Sequence, residues 1–179
     1  MPKLLYSATM SLDGFIASPG GDMSWLSDHV GDPTPELDLD ALIEDIGALL
    51  IGRTTFDGDD PNKGTDAEGP FGGRWHGPQI VLTHEQPADR TDPAVSYVTD
   101  LEAAVAAAKE GAGAKKYVNV LGADVARQCL EIGALDEVLV LIAPVLLGDG
   151  TRLFSHPGGT KVRLEPLDPE SSLFWFRVA

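Results

Sequence analysis

Short apolar runs separated by turn residues constrain this chain more than any other feature. Residues 3–10 read as a strand buried on both faces, and "ALLIG" (48–52), "QIVLT" (79–83), "VSYVT" (95–99) and "KYVNVL" (116–121) read as further strands. "DEVLVLIAPVLL" (136–147) reads as a long strand with Pro144 near its end. Helical patterns lie between them. "ELDLDALIEDIG" (36–47) sets Leu39, Leu42, Ile43 and Ile46 at helical spacing and ends at Gly47. In "TDLE" (99–102), Thr99 and Glu102 have the spacing of a capping box, opening a helix with Leu101, Val105 and Ala108 on one face. A further helix spans about Ala123 to Ile132 and stops at Gly133. Residues 161–167 and 172–178 suit an antiparallel hairpin. Strands alternating with helices, then strands alone, predict an α/β fold. Its central sheet is mainly parallel, with helices on both faces and an antiparallel C-terminal edge. A chain of 179 residues fits one such domain, 1–179.

The formal net charge of −15 disfavours nonspecific nucleic-acid binding, because a polyanion is repelled. A small anionic ligand would need local cations, which gives weight to Arg53, Arg74 and Arg127. No apolar run reaches the roughly 18–20 residues that span a bilayer, and no secretion-type leader is visible, so a cytoplasmic location is expected. The single cysteine, Cys129, falls on the apolar side of its helix and reads as a buried thiol. The four histidines are scattered, so no metal site is expected.

Several familiar motifs fail. No GxGxxG follows a strand, and "GDG" (148–150) runs on into extended chain. "DGDDPNKG" imitates a calcium loop, but Pro61 and Asn62 occupy positions of a ligand and the turn glycine. Two stretches do cohere. "LLIGRTTFD" (49–57) is a strand, a glycine, then an arginine and two threonines opening a helical turn. "NVLGADVARQ" (119–128) repeats that geometry. Two strand-to-helix turns side by side could hold two separated phosphates of one ligand.

With these stretches, "SLDGFIA", "IVLTH", "VLGADVARQCLEIGALDEV" and "APVLLGDGTRLF" occur in an order that resembles the RibD C-terminal domain group. These are dihydrofolate-reductase-like relatives of the bacterial riboflavin-pathway reductase, and the likeness runs from about Leu4 to Val178. The resemblance implies the dihydrofolate reductase fold, NADPH as hydride donor and a homodimer. It implies a reductase of a small heterocyclic or ribityl-type substrate. The nearest named activity is 5-amino-6-(5-phosphoribosylamino)uracil reductase.

Carried onto this chain, "SLDGFIA" becomes the start of the active-site loop. Backbone near Thr9, Ile16 and Ala17 would hold the nicotinamide carboxamide. Asp13 would fix the loop, contact substrate or donate a proton, and Trp25 would line the pocket. Gly52, Arg53, Thr54 and Thr55 would grip phosphates, including the 2′-phosphate, with Thr83 and His84 at the adenosine end. Gly122, Ala123, Asp124 and Val125 would lie under the pyrophosphate. Arg74, Arg152 or Lys63 would meet a substrate phosphate. The chain departs from the family where Gly-Gly is common, having Leu121-Gly122, and Asp124 adds a negative charge there. Those departures leave open a non-catalytic nucleotide-binding module. A true dihydrofolate reductase would carry a carboxylate at Val30, which here is flanked by Asp28 and Asp32. Finally, "PFGGRWHG" (70–77), with Phe71, Arg74, Trp75 and His76, would fold over the pocket as a lid.

Overall fold

The computed structural model describes residues 1–29, 37–58, 60, 62–88, 92–159, 161–171 and 173–179. Val30, Asp32 and Pro61, on which expectations were placed, lie outside the described residues. The chain begins with β1 (Lys3–Ser11) and β2 (Phe15–Ala17), then two short 3-10 turns, Pro19–Gly21 and Ser24–His29. There follow α1 (Leu39–Asp45), β3 (Ile46–Gly52), α2 (Arg53–Phe56), β4 (Gln79–Leu82) and β5 (Val95–Val98). Next come α3 (Leu101–Ala112), β6 (Tyr117–Leu121), α4 (Ala123–Glu131) and β7 (Glu137–Ala143). β8 (Thr151–Arg152), β9 (Leu164–Pro166) and β10 (Phe174–Val178) complete the order.

Eight strands form one sheet in the order β5-β4-β3-β6-β1-β7-β10-β9. Every pair from β5 to β7 is parallel, while β10 is antiparallel to both β7 and β9. The mainly parallel α/β sheet expected from the strand pattern is therefore present, including the antiparallel edge. Side chains alternate across it. Leu4, Tyr6, Leu50, Val118 and Val120 join α3 and α4 on one face. Leu5, Leu49, Ile51 and Leu139 join α1 on the other. Cys129 is completely buried beneath α4, and burial pushes its thiol up to about 12, which suits packing rather than nucleophilic chemistry. No helix among the described residues is long and apolar enough to cross a membrane.

Several local expectations need correction. The first helix ends at Asp45, and Ile46 and Gly47 already belong to β3. The reason is tertiary: Ile46 pairs with Tyr117, and its carbonyl accepts the indole N–H of Trp75 at 2.9 Å. The helix α3 is capped by Asp100, not Thr99; the Asp100 carboxylate accepts from the Ala103 amide at 2.8 Å. A charged acceptor at a helix N-terminus also gains from the helix dipole. The long strand stops at Ala143, because Pro144 has no N–H to continue the ladder.

Trp75 is a core residue, not a lid. It is 6% exposed and packs with Leu42, Ile43 and Ile46 at the start of β3, the end of the strand opposite Arg53. Phe71 leans on the same cluster, and Arg74 forms an ion pair with Asp40 of α1 at 2.6 Å. This loop closes the α1 face of the sheet.

One buried carboxylate ties the sheet together. Glu137, 1% exposed, accepts hydrogen bonds from Lys3 Nζ at 2.6 Å, Tyr117 Oη at 3.0 Å and Trp175 Nε1 at 3.0 Å. Its partners come from β1, β6 and β10. Burying a charge is costly unless its acceptors are filled, and here three donors converge. Glu137→Ala is expected to destabilise the fold by about 3 kcal/mol or more, since the buried Tyr117 and half-buried Trp175 donors lose their acceptor. Lys3→Ala, at a half-exposed position, should cost about 1 kcal/mol or less. Urea unfolding midpoints measure both. In the same assay Trp75→Ala should cost about 3–5 kcal/mol through the cavity it leaves.

Candidate functional site

At the carboxyl edge of the parallel strands, two turns meet. The chain leaving β3 runs outward to β4, whereas the chain leaving β6 crosses by way of α4 to β7. Connections that diverge in this way open a crevice between adjacent strands, where ligands of such sheets bind. Ile51 and Leu121 are paired across it, so Gly52 and Gly122 emerge at matching heights.

The two turns touch through their glycines. A Cβ on Gly52 would stand 3.0 Å from Val125 Cγ2. A Cβ on Gly122, whose φ is +105°, would stand 2.7 Å from Thr55 Oγ1. Only glycine admits both that backbone and that approach. The structure thus brings Gly52, Thr55, Gly122 and Val125 into one cradle lined by backbone and a hydroxyl. Thr54 and Thr55 are exposed at the start of α2, and Ala123 is half-buried at the start of α4.

Arg53 lies over the Tyr97 ring at 5.6 Å and gives its Nε to Asp57. Its two terminal amino groups have no hydrogen-bond partner among the described residues. Asp124 is turned aside from the cradle by its own helix. Arg127 Nη2 and Gln128 Nε2 donate to it at 2.6 and 2.7 Å, and the Arg127 hydrogen bond holds its carboxyl below the usual range. The charge that looks adverse in sequence is therefore paired. His84 is exposed and close enough to act on Asp124 through its charge. Thr83 is buried, its hydroxyl donating to the Glu85 carbonyl at 2.8 Å, so it shapes the turn after β4.

On the other side of the crevice, β1 runs past its last β6 partner and ends at Ser11. Thr9 lies on this extension, half-buried. The chain then turns and leaves the main sheet as β2, which pairs with β8 instead. Phe15 is opposite Arg152 and Ala17 opposite Thr151, so Ile16 is an extra residue on its strand. A bulge of this kind leaves backbone groups outside the ladder, and bulges recur beside active sites. Asp13 Oδ1 accepts from Ser11 Oγ at 2.6 Å and the Leu147 amide at 3.1 Å, while Oδ2 accepts from the Gly148 amide at 2.7 Å. These donors, the Ser11 hydroxyl first among them, hold its pKa down at about 2. A carboxylate so engaged is ionised at neutral pH and ties the loop to residues 147 and 148.

Two buried donors lack partners among the described residues, Trp25 Nε1 and Asn119 Nδ2. Orphaned donors are rare in native proteins, and a polar ligand is one explanation of them. Asn119 is 0% exposed, and its Oδ1 accepts from Ser7 Oγ at 2.8 Å. Sequence reading missed this pair, because asparagine within an apolar strand carries no motif. It also missed the tie between Asp13 and the amides of Leu147 and Gly148, the second of which opens "GDG". Of the proposed substrate cations, Arg74 is committed to Asp40, whereas Arg152 stacks on Phe15 at 4.6 Å beside the loop.

Comparison with known proteins agrees with this fold. The uncharacterized protein YwjB of Bacillus subtilis (strain 168) is 25% identical over 164 residues, spanning 90% of this chain and 88% of that protein. A putative riboflavin biosynthesis protein from Shewanella sp. PV-4 superimposes with a TM-score of 0.68 at 22% identity, covering 100% of this chain and 99% of that one. The diaminohydroxyphosphoribosylaminopyrimidine deaminase/5-amino-6-(5-phosphoribosylamino)uracil reductase of Thermotoga maritima gives 0.63 at 19% identity; 99% of this chain matches 56% of that one. Residues 2–171 match the RibD C-terminal domain, and the chain belongs to that family.

Proposed function

We propose that this protein is an NADPH-dependent reductase of a small heterocyclic or ribityl-type substrate. The observation that carries the reading is the cradle formed where Gly52 and Gly122 bring two strand-to-helix turns into contact, with Arg53 at its rim. Exposed Thr54 and Thr55 and the start of α4 offer hydroxyls and amides suited to phosphate oxygens. The terminal amino groups of Arg53 suit the extra 2′-phosphate. Backbone at Thr9 and at the Ile16 bulge stands ready for the carboxamide. Bound there, NADPH would supply a hydride to an electrophilic carbon of the substrate.

The chain's own part is positioning and exclusion of water. With Asp13 ionised and engaged, the proton that accompanies the hydride comes from water. Arg152, which has no ion pair among the described residues, is the cation placed to meet a phosphate on the substrate. 5-Amino-6-(5-phosphoribosylamino)uracil carries such a phosphate, which makes it the first substrate to test. The site also demands no nucleic acid or membrane.

We further propose a homodimer of cytoplasmic location. On the α3 and α4 face, Tyr6, Val138, Val140, Ile142, Phe174 and Phe176 help to line an apolar groove of about 440 Å³. Phe174 is 48% exposed. Contiguous apolar surface of this kind is uncommon on monomers, and a second copy would cover it.

NADPH should bind about ten- to a hundredfold more tightly than NADH, the worth of one charge-assisted contact. Arg53→Ala should abolish that preference; calorimetric titration of both cofactors decides, and equal affinities in the natural protein would overturn the phosphate assignment. Turnover should appear as loss of NADPH absorbance with the uracil substrate. Binding without turnover across a substrate panel would instead mark a non-catalytic nucleotide-binding module. Light scattering at micromolar concentration should give twice the monomer mass, and Phe174→Asp should return the monomer.

A further inference from the structure

Three of the chain's six lysines gather at the amino ends of the strands, the end of the sheet opposite the cradle. Lys3 opens β1, and Lys115 and Lys116 stand in the turn between α3 and β6. The register brings them together: Lys3 is level with Tyr117, and its amide donates to the Lys116 carbonyl at 2.9 Å. With Pro2, Asp45 and Gly113 they help to line a pocket of about 470 Å³. The whole chain carries 28 acidic side chains against 13 lysines and arginines. Among the described residues lining this pocket, three cations meet one carboxylate, Asp45. The pocket therefore reverses the sign of its surroundings.

The turn that carries two of these lysines is fixed in place. The Lys115 amide donates to the Ala112 carbonyl at 3.0 Å, and the Lys116 amide to the Asp45 carbonyl at 3.1 Å. Gly47 lets the turn come close: a Cβ there would stand 2.5 Å from the Ala112 carbonyl oxygen and 2.6 Å from Lys115 Cβ. The ammonium groups themselves are only partly engaged. Lys3 Nζ gives one N–H to Glu137, and Lys115 Nζ gives one to the Glu44 carbonyl at 2.6 Å. Lys116 Nζ rests over the Tyr117 ring at 4.9 Å, and its ion pair with Asp45 is 3.7 Å long, beyond hydrogen-bond reach. An ammonium has three donors, so each lysine keeps some for a ligand. We propose that this pocket binds a small polyanion bearing two or more phosphate groups. Lysine meets phosphate as a point charge, and three such charges brought by β1 and the turn before β6 suit several phosphates rather than one. A monovalent anion would gain too little against the net charge of −15. The pocket shares no residue with the crevice at Gly52 and Gly122, so it does not depend on the dinucleotide reading. A bound polyanion would tie β1 to the turn before β6, beside Glu137, and raise the melting temperature.

Inorganic tripolyphosphate is the probe. It is titrated calorimetrically into the natural protein, Lys116→Ala, the Lys115→Ala/Lys116→Ala double variant, and Arg53→Ala, which removes the cation at the rim of the cradle. One site should survive Arg53→Ala with its affinity within about twofold. Lys116→Ala should weaken that site about tenfold and the double variant about a hundredfold, the scale of one and two charge-assisted contacts. Lys116 is half-exposed, so its single variant keeps the test sound should the double variant melt early. In Arg53→Ala protein, ATP identifies the source: tighter binding than tripolyphosphate marks a nucleotide and weaker binding a bare polyphosphate, and both support the site. No binding at millimolar tripolyphosphate would overturn the proposal. So would full affinity in Lys116→Ala, or loss of all binding in Arg53→Ala, which would place the probe in the cradle. Sulfate binding as tightly at equal ionic strength would overturn it as well, by reducing the effect to charge screening.

Discussion

The enclosed charge of Glu137 is the constraint on which the rest of the sheet depends. It stands at the first residue of β7 and gathers donors from the first residues of β1 and β6 and from β10. Removing any one strand would leave a buried carboxylate short of a donor, so the four strands must come together in a single register. A slip of one residue would also turn every side chain to the wrong face. With the amino ends pinned, the heights of the carboxyl ends follow. Gly122 emerges level with Gly52, and β1 continues past both. The site is placed accurately because the opposite end of the sheet is locked.

Much of this was legible in the residues. Continuous apolar strands such as "ALLIG" announce burial on both faces, and the strand-glycine-helix pattern at Gly52 and Gly122 marks the two turns before any coordinates. What was illegible is what tertiary contacts decide. Ile46 fits a helical pattern, yet its carbonyl is claimed by Trp75 and its backbone by Tyr117. Trp75 sits among glycines in a polar loop, which looks like a lid, and nothing local reveals that it fills the α1 face. Asp13 stands in the loop after β1, beside its local partner Ser11. Its other partners lie 134 and 135 residues away and are backbone amides, which no side-chain motif encodes.

Electrostatics follows the same division between local pattern and folded context. A net charge of −15 sets an unfavourable background field for any anionic ligand. Yet Arg127 pairs with both Asp124 and Glu131, and Arg53 rests on Tyr97 with its Nε given to Asp57. Oriented amides at the glycine turns add donors that carry no formal charge. Local arrangement outweighs the background field at short range, where ionic screening is least effective.

The distant partners of the first strand have a consequence for how the molecule is made. On the ribosome, residues 11–17 emerge well before Leu147, Gly148, Thr151 and Arg152. Lys3 likewise waits for Glu137. Contacts of such long sequence separation are slow to form, and the loop has no ladder to join until they do. The nascent chain therefore leaves residues 12–17 unsatisfied until Leu147, Gly148, Thr151 and Arg152 have been made.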